Sequence, residues 1–218
     1  MKRIIILVLA FMFLWGCTSE NVSEEELIYH DAYADIDDDE ILVIEYSPEM
    51  IGDITDPEYL KEKSSDIALV TITSIDGGSK YNESNNTNDF VYTYGELEVL
   101  EVYKGDIKVK DELNYVRTGG IVDFDTYYNS LDKEEKNEDL LRAQKAYVYE
   151  KYYGDIDIEV GETYLAYLNS PEEGEYPKED AYLISHFQGG LREVDDSNGI
   201  HVLNNITGKW EAIEEIIK

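Results

Sequence analysis

Basic residues and cysteines are scarce in this sequence of 218 residues. Lys and Arg together number 18, against 49 Asp and Glu, so the formal net charge at pH 7 is −31. Binding to nucleic acid needs clustered cations that displace counterions from phosphates, and beyond the N-terminus the sequence has no such cluster. Nucleic acid is therefore excluded as a partner. Cys17 is the single cysteine, so a folded domain here must be stable without an internal disulfide.

Motifs of the common catalytic sites are also absent. The sequence contains no Gly-x-x-x-x-Gly-Lys-Ser/Thr, His-Glu-x-x-His or Gly-x-Ser-x-Gly. Of the three histidines, His30, His186 and His201, we interpret His186 as a strand residue that bonds to the backbone, not as a base or metal ligand. With 49 acids, pairs such as Glu96 and Glu98 arise by chance and are typical of a solvated strand face. The sequence thus favours a protein that is not an enzyme and predicts no cofactor, with an unrecognised envelope hydrolase as a less favoured alternative.

The longest apolar run lies at the N-terminus, at residues 4–14. It follows Lys2 and Arg3, as the h-region of a signal peptide follows its basic n-region, and it is too short to span a bilayer. The tetrapeptide Leu14-Trp15-Gly16-Cys17 resembles the lipobox of bacterial lipoproteins. The resemblance implies that residues 1–16 are a signal peptide and that Cys17 receives diacylglycerol. The protein would then be lipid-anchored on the extracytoplasmic face of the cell membrane, whereas the alternative is an uncleaved signal anchor.

An acidic segment follows the lipobox-like motif. Residues 17–40 contain many like charges and few large apolar side chains, a composition that predicts a disordered tether ahead of a domain at residues 41–218. Asp35, Asp37 and Asp39 alternate like the start of a calcium loop, but Glu40 stands where an EF-hand needs Gly, and Tyr46 where it needs Glu. An EF-hand is excluded. Weak Ca²⁺ binding by this run remains open, and a calcium-responsive surface protein is the main alternative function.

Strand-like segments dominate the remainder of the chain. Val, Ile and Tyr are abundant in them, and Gly, Asn and Asp separate them. The predicted strands are residues 41–46, 67–75, 90–103, 112–118, 162–169, 181–188, 191–194 and 200–203. Residues 67–75 are apolar on both faces, which predicts a central strand.

The strand predicted at residues 90–103 changes its phase of alternation. Leu97 and Val99 alternate with glutamates, and the alternation then restarts with Leu100 and Val102. A phase change within a strand indicates a β-bulge, which curves the strand as a barrel requires.

Three helices are predicted. Asp56 as N-cap and Pro57 as the first helical residue start a short one. Apolar residues with helical spacing predict one long helix over residues 131–152, and a second amphipathic pattern predicts a C-terminal helix over 208–217. The residues expected to face the barrel from this last helix are Trp210, Ile213, Ile216 and Ile217.

Between residues 67 and 188, the order of these elements is three strands, a helix and two strands. This order predicts a mainly β protein, a small OB-like Greek-key barrel with one helix between strands 3 and 4 and a C-terminal helix. Such a barrel hosts many functions, so its ligand or partner at the envelope cannot be named from the fold. The sequence therefore predicts a binding module for an unknown envelope or extracellular partner.

Three segments, residues 98–112, 160–168 and 189–195, resemble a set of exported bacterial proteins of unassigned function with a netrin-like OB domain. The resemblance implies that Gly105 and Gly161 are turn glycines and that Tyr164, Leu165 and Leu168 belong to the core. The same domain occurs in tissue inhibitors of metalloproteinases. Their inhibition does not carry over, because it needs a free N-terminal cysteine and disulfides, which an acylated lone cysteine cannot provide.

Tyrosines cluster at residues 127–128 and 147–153. They could form an exposed aromatic patch for a ligand or a sugar. Tyrosines at such spacing more often pack a helix onto a barrel, and we favour packing.

Overall fold

The structure is a computed structural model that describes residues 29–47, 52–80, 90–171, 178 and 180–217. Leu14, Trp15, Gly16 and Cys17 lie outside these residues, so their predicted roles stay predictions. Most of the Asn-rich segment after β-strand residue Ser79 also lies outside them. Within the described ranges, no helix combines the length and the apolar composition that crossing a membrane requires.

Strands make up most of the described fold. In chain order they are β1 (His30–Asp31), β2 (Ile41–Tyr46), β3 (Asp66–Ser79), β4 (Tyr92–Lys104), β5 (Glu112–Thr118), β6 (Gly120–Asp123), β7 (Tyr147–Tyr152), β8 (Thr163–Asn169), β9 (Tyr182–Ile184), β10 (Leu191–Asp195), β11 (His201–Asn204) and β12 (Lys209–Ala212). The α-helices are α1 (Pro57–Lys63), α2 (Phe124–Ser130), α3 (Glu138–Arg142) and α4 (Ile213–Ile216).

Five of these strands close into a barrel. Its order is β3-β4-β5-β9-β8, and β8 returns to pair with β3. β5 and β9 run parallel, and the other neighbouring pairs run antiparallel. This is the predicted OB-like barrel, and its interior holds fully buried apolar side chains such as Ile72, Leu97 and Leu168. β3 pairs on both sides, which confirms that it is a central strand.

The predicted bulge lies in β4. Leu69 of β3 is opposite Glu101, and the next residue, Val70, is opposite Val99. Leu100 is therefore an extra residue without a partner in the register, and it points outward with 40% of its surface exposed. The phase change read from the sequence marks this insertion.

A second, three-stranded sheet lies beside the barrel. β7 is its central strand, pairing in parallel with β2 and antiparallel with β6. Helix α2 covers one face, and Phe124 and Tyr127 of this helix pack with Val122 and Val148 of the strands. The insertion between barrel strands β5 and β8 thus forms a small layer together with β2, which precedes the barrel in the chain.

The predicted long helix at residues 131–152 is wrong. The chain forms the short helix α3 and then the strand β7, in which burial alternates residue by residue. Tyr, Val and Tyr in succession suit a pleated strand, and β2 and β6 provide the partners that the sequence pattern alone did not reveal. Tyr127 and Tyr152 are buried, whereas Tyr153 is 70% exposed. The two buried tyrosines pack in and beside the three-stranded sheet, so the prediction that they pack a helix onto the barrel is wrong.

The C-terminal helix is shorter than predicted. Lys209–Ala212 form β12, which pairs antiparallel with β11, and only Ile213–Ile216 are helical. Ile213 and Ile216 are buried as predicted, in a cluster outside the barrel with Leu60 of α1. Trp210 is 47% exposed and does not face the barrel. Trp210 is exposed because it lies in the hairpin of β11 and β12 and not in the predicted helix.

The predicted disordered tether at residues 17–40 is wrong for its final part. β1 pairs in parallel with β3, and the backbone N–H of Ala32 donates to the carbonyl of Ile75 at 2.8 Å. The hydroxyl of Tyr33 donates to the carbonyl of Ile121 at 3.0 Å. The folded domain therefore begins ahead of Ile41, because the edge of β3 offers hydrogen bonds that compensate for the like charges.

Candidate ligand-binding cleft

A cleft of about 290 Å³ opens between the barrel and the three-stranded sheet. The barrel contributes residues from β3, β4 and β5, and the sheet contributes the start of β2, β6 and the second half of β7. Residues 155, 157 and 158 and the segment around β1 complete it. Because most of the wall belongs to paired strands, the cleft has a fixed shape.

A buried ion pair forms part of the wall. Arg117 on β5 is 6% exposed, and its Nη2 pairs with Asp155. The same nitrogen donates to the carbonyl of Ile156 at 2.8 Å, and Asp155 accepts from the N–H of Ile156 at 3.0 Å. A buried charge is tolerated only when it is paired and hydrogen-bonded, so these bonds fix the guanidinium.

A second ion pair, between Lys151 and Asp157, also lines the cleft. Lys151 donates to both carboxylate oxygens of Asp157 at 2.8 Å, and the hydroxyl of Tyr149 also donates to Asp157. Burial raises the pKa of Asp157, but the bonds from Lys151 and Tyr149 outweigh it, so this pKa lies below its ordinary value. Burial, and then the bond to Asp157, raises the pKa of Tyr149. Asp157 is thus an ionised acceptor and Tyr149 a neutral donor.

A third ion pair joins the barrel to the sheet. Lys80 follows β3, Glu150 lies in β7, and Nζ and Oε2 are 3.2 Å apart with both side chains almost completely buried. The other carboxylate oxygen accepts from the N–H of Val91 at 3.1 Å. Nζ also lies 4.7 Å from the ring centroid of Tyr127. The pair therefore ties two parts of the fold at the point where the cleft forms.

An aromatic residue closes one side. Tyr152 is buried, and its ring centroid lies 4.6 Å from that of Phe187. Phe187 and its neighbour His186 both have positive φ, at 48° and 68°. Non-glycine residues rarely adopt this conformation, and strained backbone of this kind is common near functional sites. The strained turn thus supports a wall of the cleft.

The predicted metal ligands are not brought together. Within the described ranges, no group of three or more His, Cys, Asp or Glu is placed to hold a metal ion. Asp35, Asp37 and Asp39 are all exposed, in a turn and a 3₁₀ turn. Asp35 lines a different cavity, of about 450 Å³. Weak Ca²⁺ binding by this run stays a prediction without support from the geometry.

His186 has a partner that the sequence did not indicate. Its Nε2 lies 3.3 Å from the hydroxyl oxygen of Ser64, and burial lowers its pKa. The prediction of a strand residue bonded to the backbone is wrong. Ser64 is 2% exposed and donates to the carbonyl of Leu60 at 2.8 Å, and neither Ser64 nor His186 lines the cleft. This contact holds the end of α1 against the strained turn.

The two predicted turn glycines have the conformation that a turn requires. Gly105 has φ of 100° and Gly161 has φ of 91°, values that favour glycine. At Gly105 a Cβ atom would collide with the carboxylate of Asp66. That carboxylate accepts from the N–H of Asp106 at 2.9 Å, so the turn and the barrel strand are held together.

Sequence reasoning missed the residues that build the cleft. Arg117 lies in the strand-like run Leu-Asn-Tyr-Val-Arg-Thr, and an arginine in such a run signals a buried, paired charge. Asp155 and Asp157 had no comparable signal, because their role depends on where the chain returns after β7. The same reasoning would have found Arg192, which is also buried in a strand.

Comparisons with protein-family models, with curated proteins and with solved structures found no match to this chain. The netrin-like resemblance consequently remains a prediction from three sequence segments.

Proposed function

We propose that the protein is a lipid-anchored binding protein of the bacterial envelope whose OB-like barrel holds a small ligand in the cleft. The lipobox-like Leu14-Trp15-Gly16-Cys17 supports the anchoring. The volume of the cleft is near the lower end of the range typical of small-molecule sites, about 300 Å³. The ligand would be small.

The observation that carries the proposal is the cleft with its charges already fixed. Arg117 is held by Asp155, and Lys151 is held by Asp157, before any ligand arrives. Preorganised polar groups reduce the entropy that binding costs. The arrangement therefore favours recognition of a ligand of defined shape and charge.

The same pairing supports binding over catalysis. A general base must be free to take a proton near neutral pH. Asp157 is already bonded to Lys151 and Tyr149, and its pKa lies below the ordinary value, which makes it a poor base. These groups position a ligand and do not transfer protons to it.

Binding in the cleft can be tested by NMR chemical-shift mapping of the lipid-free protein against a library of small molecules. Thr118 lines the cleft, so Thr118→Trp fills it. Thr207 is exposed and lies elsewhere, so Thr207→Trp is the matched control. We expect binders that shift cleft residues, that are lost in T118W and that are retained in T207W. Binding that T118W leaves unchanged would contradict the proposal, as would a library without any binder at the cleft.

The anchoring can be tested separately with Cys17→Ala in a bacterial host. The wild-type protein is expected in the membrane fraction with a mass increased by the lipid. C17A is expected to lose both properties, because the thiol accepts the diacylglycerol. Membrane fractionation and unchanged mass in C17A would show that the lipid assignment is wrong.

A further inference from the structure

The carboxylates that line the cleft outnumber the cations, five against two. The two cations, Arg117 and Lys151, are paired with Asp155 and Asp157. Glu150 is paired with Lys80. The two remaining lining carboxylates therefore decide the net charge that the cleft presents.

Those two carboxylates are Asp31 and Asp38. Neither forms an ion pair with any residue in the described part of the chain. Asp31 lies half-buried in β1 and accepts from the N–H of Tyr33 at 2.8 Å. Burial above all, and in small part the charge of Asp31, raises the pKa of Tyr33 to about 12. The negative charge of Asp31 is thus felt inside the fold, and a cation in the cleft would compensate it.

Apolar surface lies beside these charges. Ile41, Ile75, Ile121 and Ile158 line the cleft, together with the ring of Tyr152. A hydrated metal ion would gain nothing from them, and the carboxylates of the described residues are not grouped for metal coordination. An organic cation would both meet the charge and bury an apolar body.

Arg117 does not change this balance of charge. Its side chain is 6% exposed, its Nη2 pairs with Asp155, and the same nitrogen donates to the carbonyl of Ile156 at 2.8 Å. A buried charge that is paired and hydrogen-bonded in this way needs no further partner. Asp31 and Asp38 therefore remain the charges that a ligand meets.

We infer that the cleft binds a small organic amine with an apolar body. The ammonium group lies at Asp31 and Asp38, and the apolar body lies along the isoleucines. The inference rests on the proposed function, since it names the ligand class for the same cleft.

Three probes with one skeleton test the charge requirement by calorimetry at about 0.15 M salt, where long-range attraction is screened. They are L-phenylalaninol, which is cationic, 3-phenylpropan-1-ol, which is neutral, and 3-phenylpropionate, which is anionic. We expect phenylalaninol to bind at least about tenfold more tightly than the neutral alcohol. This ratio of affinities corresponds to the free energy of one hydrogen bond to a charged group. The carboxylate should show no binding.

Single substitutions identify the carboxylates responsible. Asp31→Asn keeps an oxygen that can accept from Tyr33, and Asp38→Asn removes an exposed charge. Each should weaken phenylalaninol binding several-fold, and the double variant should lose the discrimination against the alcohol. Asp39→Asn is the matched control, because Asp39 is adjacent, exposed and outside the cleft. Thermal melting of each variant verifies that the fold is retained.

The possible outcomes separate the inference from the proposed function. Equal affinity for the three probes, or library binders of the cleft that lack a positive charge, would overturn the amine assignment and leave cleft binding intact. Equal weakening in D39N would also overturn it, since the attraction would then belong to the acidic surface as a whole. The absence of any binder at the cleft would instead remove the proposed function itself.

Discussion

The interior of the barrel and its junction with the three-stranded sheet are stabilised by different forces. The barrel interior is apolar, with Ile72, Leu97 and Val99 completely buried. The junction between barrel and sheet instead contains the buried pair of Lys80 and Glu150. Hydrophobic burial is non-directional, whereas a buried ion pair is stable only in one geometry. The apolar barrel is therefore the stable scaffold, and the charged junction gives the cleft its specific shape.

The cleft lies at this junction, and both regions supply apolar and charged side chains to it. The barrel supplies Ile75 and Arg117, and the sheet supplies Ile41, Ile121 and Lys151. A site of this composition can be altered by charge substitutions that leave the barrel folded. Substitutions in each region therefore measure how far the stability of the sheet is independent of the barrel.

The largest effect is expected from Glu150→Gln. This change leaves the buried Lys80 without a carboxylate, which typically costs about 3–5 kcal/mol. Urea denaturation should show the lower free energy of unfolding. Amide hydrogen exchange should become faster, most strongly in β2, β6 and β7. The double variant Lys80→Met/Glu150→Leu should recover most of the stability. A double variant as unstable as E150Q would show that the loss does not come from the unpaired charge of Lys80. Unchanged stability of E150Q itself would show that the junction does not depend on this pair.

Leu97→Ala should destabilise the barrel by about 2–5 kcal/mol, because it removes a completely buried side chain from the interior. Exchange should then increase in the barrel strands and in the sheet together, since the sheet needs the barrel as its support. Leu100→Ala, three residues away at the exposed bulge, is the control and should change stability by less than about 0.5 kcal/mol. Equal effects of the two substitutions would contradict the barrel description.

Gly105→Ala tests the turn that joins β4 to the following segment. The positive φ alone should cost about 1 kcal/mol, and the collision with Asp66 should add to it. Gly199→Ala is a matched control, since Gly199 has φ of 93° and a Cβ atom there meets nothing within 4 Å. G105A should therefore be the less stable variant in thermal melting. If G105A and G199A lower the melting temperature equally, the collision with Asp66 has no effect on stability.

The smallest effect is expected at the cap of α2, beside the sheet. Asp123 accepts from the N–H of Thr126 at 2.8 Å, and Asp123→Ala should cost about 1 kcal/mol near neutral pH. Bonds from the side chain and the backbone of Thr126 lower the pKa of Asp123. The stabilisation is therefore present above the unfolded pKa, about 3.9, and is lost as the pH falls through the lower folded value.

Urea denaturation of wild type and D123A across this pH range provides the measurement. The difference between the two proteins should shrink as the pH falls below about 4. Asp56→Ala, at the cap of α1, is the matched variant on the barrel side. A difference for D123A that grew on acidification would contradict the assignment of the cap.

Local patterns in the sequence predicted a large part of the fold. The strands at residues 112–118 and 41–46 have the predicted bounds, the bulge lies at Leu100, and Asp56 and Pro57 start α1. Each of these features depends on neighbours within a few residues. Alternation, capping and turn conformation are set at that range, so one sequence suffices to find them.

The errors share one physical reason. Residues 147–152 carry apolar side chains compatible with either a helix or a strand, and pairing with β2 and β6 decides for the strand. The segment around Tyr33 has the composition of a disordered tether and is ordered by the edge of β3. In each case, hydrogen bonds to distant strands outweigh the local preference.

The sequence by itself determined the acidic character, the mainly β barrel, its bulge and its turns, because charge, alternation and glycine conformation are properties of short segments. Only the tertiary structure decided that Arg117 meets Asp155, that Lys80 meets Glu150 and that Asp31 faces the cleft. These contacts join residues far apart in the chain. Their energy depends on burial and on a partner of opposite charge, and both exist only after the barrel has closed.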